Sequence, residues 1–194
     1  MIRFAEKRDI PEILEIYGPY VLSTTNSFEY RVPTQEEFTL RFEKITSQFP
    51  WLVWEEDDRV LGYAYGSLPF SRTAYQWSCE VSIYLSPEVQ GKGIGRKLYA
   101  ALEHLLFLQG YRVIYSVVTS ENTRSLDFHT HVGYRKVAEL PGIGMKFGRW
   151  LGTVWLEKRL ECDDIPQAAP VACSAIVENN QKLSDILDAL TLSQ

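Results

Sequence analysis

The stretch Glu80–Glu103, "EVSIYLSPEVQGKGIGRKLYAALE", constrains this chain more than any other. Alternating apolar residues end at Ser86-Pro87, glycines cluster at Gly91, Gly93 and Gly95, and an amphipathic pattern then begins. A strand, a glycine-rich turn and a helix start in succession leave several backbone N–H groups free to face an anion. A P-loop needs G-x-x-x-x-G-K followed by Ser or Thr, but Lys92 is followed by Gly93, so no hydroxyl stands ready for Mg²⁺. A dinucleotide fingerprint needs G-x-G-x-x-G in a parallel βαβ unit, whereas here Gly91-x-Gly93-x-Gly95 follows a strand meander. A third arrangement wraps the turn and the free amides of the Arg96 helix around a pyrophosphate, with Lys92 and Arg96 adding charge. The glycines alone fit a tight turn that binds nothing equally well.

The flanking sequence supplies the context. Ile2 and Phe4 alternate as a first strand, and Asp9, Pro11 and Glu12 open a helix whose apolar residues run to Val21. Thr34 with Glu37 three residues later predicts a capping box and a second helix to about Ser47. Trp51–Glu55, Val60–Ser67 and Gln76–Leu85 read as a strand meander, its first turn at Asp57-Asp58. A helix from Arg96 to Gln109 stops at Gly110, followed by the strand "YRVIYSVVT" and a short helix stopped by Gly133. Two last strands fit Tyr134–Glu139 and Thr153–Leu160. The pattern predicts an α/β (α+β) domain over 1–160, a mixed, mostly antiparallel sheet flanked by helices. Residues 161–194 read as an extension: a Pro/Ala-rich linker, then an amphipathic helix presenting Leu183, Ile186, Leu187 and Leu190.

A formal charge of −5 gives no basic footprint for nucleic acid, and no apolar run approaches a membrane span. Charges at Arg3, Glu6, Lys7, Arg8 and Asp9 interrupt any leader-like apolar segment. Cys79, Cys162 and Cys173 have neither metal-ligand spacing nor an even framework. The expectation is a cytoplasmic protein with reduced thiols and no metal, nucleic-acid or membrane partner.

The pattern Gln90-x-x-Gly93-x-Gly95 resembles the coenzyme A pyrophosphate loop of the GNAT family of N-acetyltransferases. "FPWLVWEEDDRVLGYAY", "SRTAYQWSCEVSIYLSP", "LDFHTHVGY" and "KFGRWLGTVWLEKRL" resemble, more narrowly, its phosphinothricin and methionine sulfoximine N-acetyltransferases. The resemblance implies the GNAT fold, acetyl-CoA as acetyl donor, a small amino-acid-like acceptor acetylated at its α-amine in a ternary complex, and a homodimer. It covers Ile2 to about Leu160 and carries nothing over to the extension. A peptide N-terminal acetyltransferase and a non-catalytic CoA-binding module remain the rival readings.

The resemblance also assigns roles. Gln90, Gly91, Lys92, Gly93, Ile94, Gly95 and Arg96 would hold the donor's pyrophosphate, and the backbone of Ile83, Tyr84 and Leu85 its pantetheine and acetyl carbonyl. Asn122 and Ser125 would meet the pantetheine arm. On a strand, Glu80, Ser82 and Tyr84 share one face, with Cys79 on the other. The resemblance makes Glu80 the expected general base, since those acetyltransferases place a Glu here, and no cysteine suggests an acetyl-enzyme. His129 is expected to relay a proton or orient a reacting group, with His104 and His131 as background. No tyrosine follows the Asn122 loop to act as the family's general acid. Arg72 is the expected cation for an acceptor oxyanion, with Phe28, Tyr75, Ser82 and Tyr84 lining the pocket. Trp51, Trp54 and Trp155 are expected in core or interface.

Overall fold

A computed structural model of the chain describes residues 1–160, 166, 168–179, 187, 189 and 191. Among them, seven strands form one sheet in the order β1-β2-β3-β4-β5-β7-β6. These are β1 (Ile2–Phe4), β2 (Trp51–Glu56), β3 (Arg59–Ser67), β4 (Ser78–Leu85), β5 (Val113–Thr119), β6 (Arg135–Lys146) and β7 (Arg149–Arg159). Neighbouring strands are antiparallel except β4 and β5, which are parallel. The expected mixed, mostly antiparallel sheet is what forms.

Alternation along the strands sends two apolar sets to opposite faces. Trp51, Val53 and Tyr63 meet Ile13 and Tyr17 of α1 (Ile10–Ser23) and Phe38 of α2 (Gln35–Thr46). Leu52, Ala64, Cys79, Val81 and Ile114 meet Leu98, Leu102 and Leu105 of α3 (Ile94–Gln109). Phe128 of α4 (Thr123–His131) packs against that second cluster. The helix starts follow their sequence signals. Thr34 and Glu37 form a reciprocal capping box at α2, and left-handed Gly110 ends α3. Asp9 departs from its signal: its carboxylate grips Arg3 and accepts the Glu6 N–H, so it caps no amide of α1.

Three boundaries differ from expectation. Helix α3 begins at Ile94, two residues early, because Gly93 adopts the N-cap position itself. Strands β6 and β7 extend to Lys146 and back to Arg149, joined by left-handed Phe147 and Gly148. A register shift between Leu140 and Gly144 breaks the alternation that would have revealed the hairpin. Part of the segment expected as a linker, residues 168–173, is bound to the body instead. The Val171 amide donates to Gln109 O at 2.9 Å and the Cys173 amide to Gln48 O at 3.0 Å, where a helix, α5 (Cys173–Asn179), begins. The Gln109 side-chain amide bonds both the Gln48 and Val171 carbonyls at 2.7 Å. Farther on, Leu187 is buried in the α3-side core, and Thr191 accepts the Ile2 amide at 3.0 Å. Leu183, Ile186 and Leu190 lie outside the described residues.

Candidate active site

The parallel pairing of β4 with β5 is short. It covers Ser78–Glu80 against Val113–Tyr115 and ends there, although β4 runs on to Leu85 and β5 to Thr119. Beyond Glu80 the strands part, and the backbone of Val81–Leu85 faces a gap rather than a neighbour. The narrow part of the gap, about 70 Å³, is lined by Ser82, Tyr84, Tyr99, Ser116, Asn122 and His129 among others. It adjoins a wider cleft of about 310 Å³ walled by Ile83, Leu85, the glycine turn, Arg96, Arg124 and Phe128.

The glycine turn closes one end of that cleft. Gly91 and Gly93 have φ of +79° and +80°, the left-handed region that side-chain-bearing residues resist. An added Cβ at Gly93 would meet no protein atom within 4 Å, so within the protein it is the left-handed φ that calls for glycine here. No side chain caps α3, and the amides of its first turn are left for a ligand. Arg96 borders the cleft, whereas Lys92 is exposed and borders neither opening. Ile94 is buried in the core beneath the turn and does not line the cleft. The Gln90 side chain turns inward, donating to Tyr20 Oη at 2.9 Å and Leu85 O at 3.1 Å.

Opposite α3, the sheet carries a row of side chains in register: Ser67, Glu80, Tyr115, Glu157 and Arg135. Its two carboxylates are treated differently. Burial raises the Glu157 carboxyl, but bonds from Arg135 at 2.6 Å and Tyr115 at 3.1 Å outweigh it and hold the pKa below the usual range. Glu80 is half-buried with no cation partner among the described residues, and burial pushes its pKa up. The unpaired carboxylate stands at the last paired position before the strands part.

Beside it lies an aromatic floor: Phe70 stacks on Trp155 at 6.0 Å and meets Tyr115 edge-on at 6.0 Å, with Tyr75 tilted over Phe70 at 4.9 Å. Trp51 and Trp54 are buried as expected, but Trp155 belongs to this floor. Arg72 is exposed at the head of the Thr73–Tyr75 turn, with no ion-pair partner among the described residues. Ser82 stands opposite Tyr65. The Tyr84 ring packs among Tyr17, Tyr20 and Tyr63 at 4.9–5.3 Å, and the residue also lines the narrow gap.

The segment between α1 and α2 closes over this face from the β6 side. Phe28 presses on Gly144 so closely that a Cβ there would come within 2.3 Å of its ring. Buried Lys146 donates to the carbonyls of Val21, Thr24 and Ser27 at 2.6–2.9 Å, and Thr119 Oγ1 donates to Thr25 O at 2.6 Å. These ties are absent from the sequence reading, because a lysine beside a turn resembles an ordinary surface charge.

His129 is almost fully buried on α4. Its Nδ1 lies 2.7 Å from Ser125 O, which can only accept, so Nδ1 carries the proton and Nε2 accepts from Tyr99 Oη at 3.0 Å. Burial lowers the imidazole pKa, the Ser125 bond opposing it in part, so the ring is neutral near pH 7. Asn122 Oδ1 caps α4 by accepting the Ser125 amide at 3.2 Å. Tyr99, on the buried face of α3, gave no signal that distinguishes it from core. Cys79 points to the α3 side, where burial pushes its thiol pKa far up.

Comparison with known proteins agrees with this arrangement. A family model described as "Acetyltransferase (GNAT) domain" matches residues 2–155. The chain is 35% identical over 167 residues to phosphinothricin N-acetyltransferase of Alcaligenes faecalis, spanning 84% of each. It is 35% identical over 173 residues to the L-methionine sulfoximine/L-methionine sulfone acetyltransferase of Salmonella typhimurium, spanning 89% of this chain and 99% of that one. The crystal structure of a GNAT superfamily phosphinothricin acetyltransferase from Sinorhizobium meliloti, in complex with AcCoA, superposes with a TM-score of 0.83 at 34% identity. It covers 88% of this chain and 94% of its own.

Proposed function

The chain belongs to the GNAT acetyltransferase family and is an N-acetyltransferase; from that premise we propose that it transfers an acetyl group from acetyl-CoA to the α-amine of a small amino-acid-like acceptor. Phosphinothricin, methionine sulfoximine or sulfone, and related amino acids are the acceptor class. The observation that carries the reading is Glu80, an uncompensated carboxylate at the point where β4 and β5 part.

The wider cleft suits the donor: left-handed glycines and uncapped amides at one end, apolar Ile83, Leu85 and Phe128 along its length, and no carboxylate in its lining. Acetyl-CoA supplies the activated thioester; the chain supplies everything else. Amides of the Gly91–Arg96 turn bind the diphosphate. The backbone around Ile83–Leu85, freed by the splay, binds the pantetheine and stabilises the thioester oxygen as it gains charge. Glu80, its basicity raised by burial, takes the proton from the acceptor ammonium, directly or through a water. The amine then attacks in a ternary complex and the thiolate departs. Arg72, paired with no carboxylate among the described residues, receives the acceptor's oxyanion beside Phe70 and Tyr75. His129 orients Tyr99 beside the narrow gap and can pass a proton only by exchange at Nε2.

Two features refine the reading. The Lys146 and Thr119 ties hold the segment around Phe28 down over the groove, which favours a small acceptor over a peptide. The β6–β7 hairpin at the sheet edge exposes Ile143, Met145 and Phe147, and Trp150 at the start of β7 at 67%. An unguarded apolar edge of this kind supports a homodimer, which sedimentation equilibrium would break by returning a monomer at micromolar concentration.

The deciding experiment is a thiol-release assay across amino acids and these analogues. Glu80→Gln loses turnover, Arg72→Ala raises the acceptor KM, and His129→Gln lowers kcat. Full activity in Glu80→Gln removes Glu80 from its role, and turnover with peptides alone removes the small acceptor.

A further inference from the structure

We propose that Arg124 is a second cation for the donor's diphosphate, presented from α4 across the cleft from the glycine turn and oriented by Gln90; the inference rests on the acetyl-CoA reading above. Motif spacing points to Lys92 and Arg96 for this charge, but the charged side chains lining the cleft are Arg96 and Arg124. Arg124 Nη2 lies 3.9 Å from where a Cβ on Gly91 would stand, so the guanidinium faces the turn itself.

The pairing of Arg124 is informative. Its Nη1 donates to Gln90 Oε1 at 2.6 Å, a neutral acceptor, and no carboxylate pairs with it among the described residues. The charge is therefore uncancelled, and one hydrogen bond leaves most of the five guanidinium donors unused. Gln90 is fixed in turn. Its nitrogen reaches Tyr20 Oη and Leu85 O, while Tyr20 Oη itself donates to Leu85 O at 2.6 Å. With its nitrogen bound on the α1 side, the amide has to turn its oxygen toward Arg124. Gln90 thus has no donor left for a phosphate, and it acts as a positioning residue joining the end of β4 and α1 to the cation on α4. Lys92, exposed outside the cleft, has no comparable hold.

The test is isothermal titration of the full chain with CoA, dephospho-CoA and pantetheine. Arg124→Ala should weaken CoA and dephospho-CoA alike by about ten- to thirtyfold, leave pantetheine unchanged, and be rescued in part by Arg124→Lys. Arg8→Ala, an exposed arginine paired with Glu6, controls for net charge and should change none of the three. A CoA Kd within twofold of wild type overturns the inference. So does a loss seen with CoA but not with dephospho-CoA, which would move Arg124 to the 3′-phosphate, or an equal loss with pantetheine. Wild-type protein that binds none of the three overturns the acetyl-CoA reading and this inference with it; wild-type binding with an indifferent Arg124→Ala overturns the inference alone.

Discussion

The proposed donor cleft and the proposed acceptor face of this molecule meet at one strand, yet they are made in opposite ways. The cleft is built mainly from one contiguous stretch, β4 through the first turn of α3, and offers backbone: left-handed glycines, uncapped amides and an unpaired strand edge. The acceptor face is gathered from the segment after α1, the loop before β4, and strands β3 to β7, and offers side chains: Glu80, Phe70, Tyr75, Tyr115, Trp155. A site made of backbone tolerates side-chain change and fails when its dihedrals change. A site made of side chains from distant segments fails one group at a time, and through whatever holds those segments together.

The largest effect expected from this contrast is at Glu80. Glu80→Gln should lower kcat by about 10²–10⁴ while the acetyl-CoA KM stays unchanged, since the change touches only the acceptor side. Activity requires the carboxylate, so kcat/KM should rise with pH through the Glu80 pKa, along a limb displaced above the ordinary carboxylate range. The sign for stability is the reverse. A folded-state pKa raised above the unfolded value stabilises the fold below the unfolded pKa and is a cost once pH exceeds the folded one. Above the folded-state pKa the carboxylate is ionised in both states and the cost is full, so there Glu80→Gln should melt higher than wild type. A variant that is inactive and less stable would mean that Glu80 holds the fold rather than the chemistry.

The same contrast explains how much was legible in advance. Gln90, Gly93 and Gly95 are near neighbours in the chain, and a turn that needs φ > 0 announces itself by glycine, so the cleft could be located from sequence. Strand alternation set Glu80 on the face opposite Cys79, but its expected role came from the family resemblance. The aromatic floor was not: Phe70 and Trp155 are far apart in sequence, and neither carries a local signal that they stack. The β6–β7 hairpin was hidden by Pro141, Gly142 and Gly144 around its register shift. Arg124 looked like any exposed helical arginine, because its meaning lies in a glutamine more than thirty residues away. The docking of residues 168–179 depends on Gln48 and Gln109, whose side chains show nothing of this in composition.

An intermediate effect is expected at Lys146, which touches neither reactant. Lys146→Met leaves the carbonyls of Val21, Thr24 and Ser27 without their shared ammonium donor. Hydrogen bonds to a charged group are worth about 1.5–3 kcal/mol each, and only the freed Thr24 carbonyl lies open enough to regain water, so a net loss of about 3 kcal/mol follows. In a domain of this size that lowers Tm by about 6–12 °C. Below that temperature the segment around Phe28 should loosen, raising the acceptor KM and leaving the acetyl-CoA KM alone. Calorimetry and steady-state kinetics on one preparation check both halves, and a rise in the donor KM instead would dissolve the division between the two regions.

The smallest effect, and the most specific to backbone, is at Gly93. Its φ of +80° costs a residue with a Cβ about 1–2 kcal/mol, yet the space around it is open. Gly93→Ala should therefore raise the acetyl-CoA Kd by about five- to thirtyfold, with the acceptor KM and kcat at saturating donor unchanged. Gly93→Asn is the sharper variant. Asparagine is larger than alanine but tolerates the left-handed region, so if dihedral preference governs the turn it should bind donor better than alanine does. If instead affinity falls with side-chain size, alanine above asparagine, then the turn works by close approach to the ligand. Gly93 would then belong with the side-chain-limited acceptor face, and the contrast between the two regions would fail at its most backbone-dependent residue.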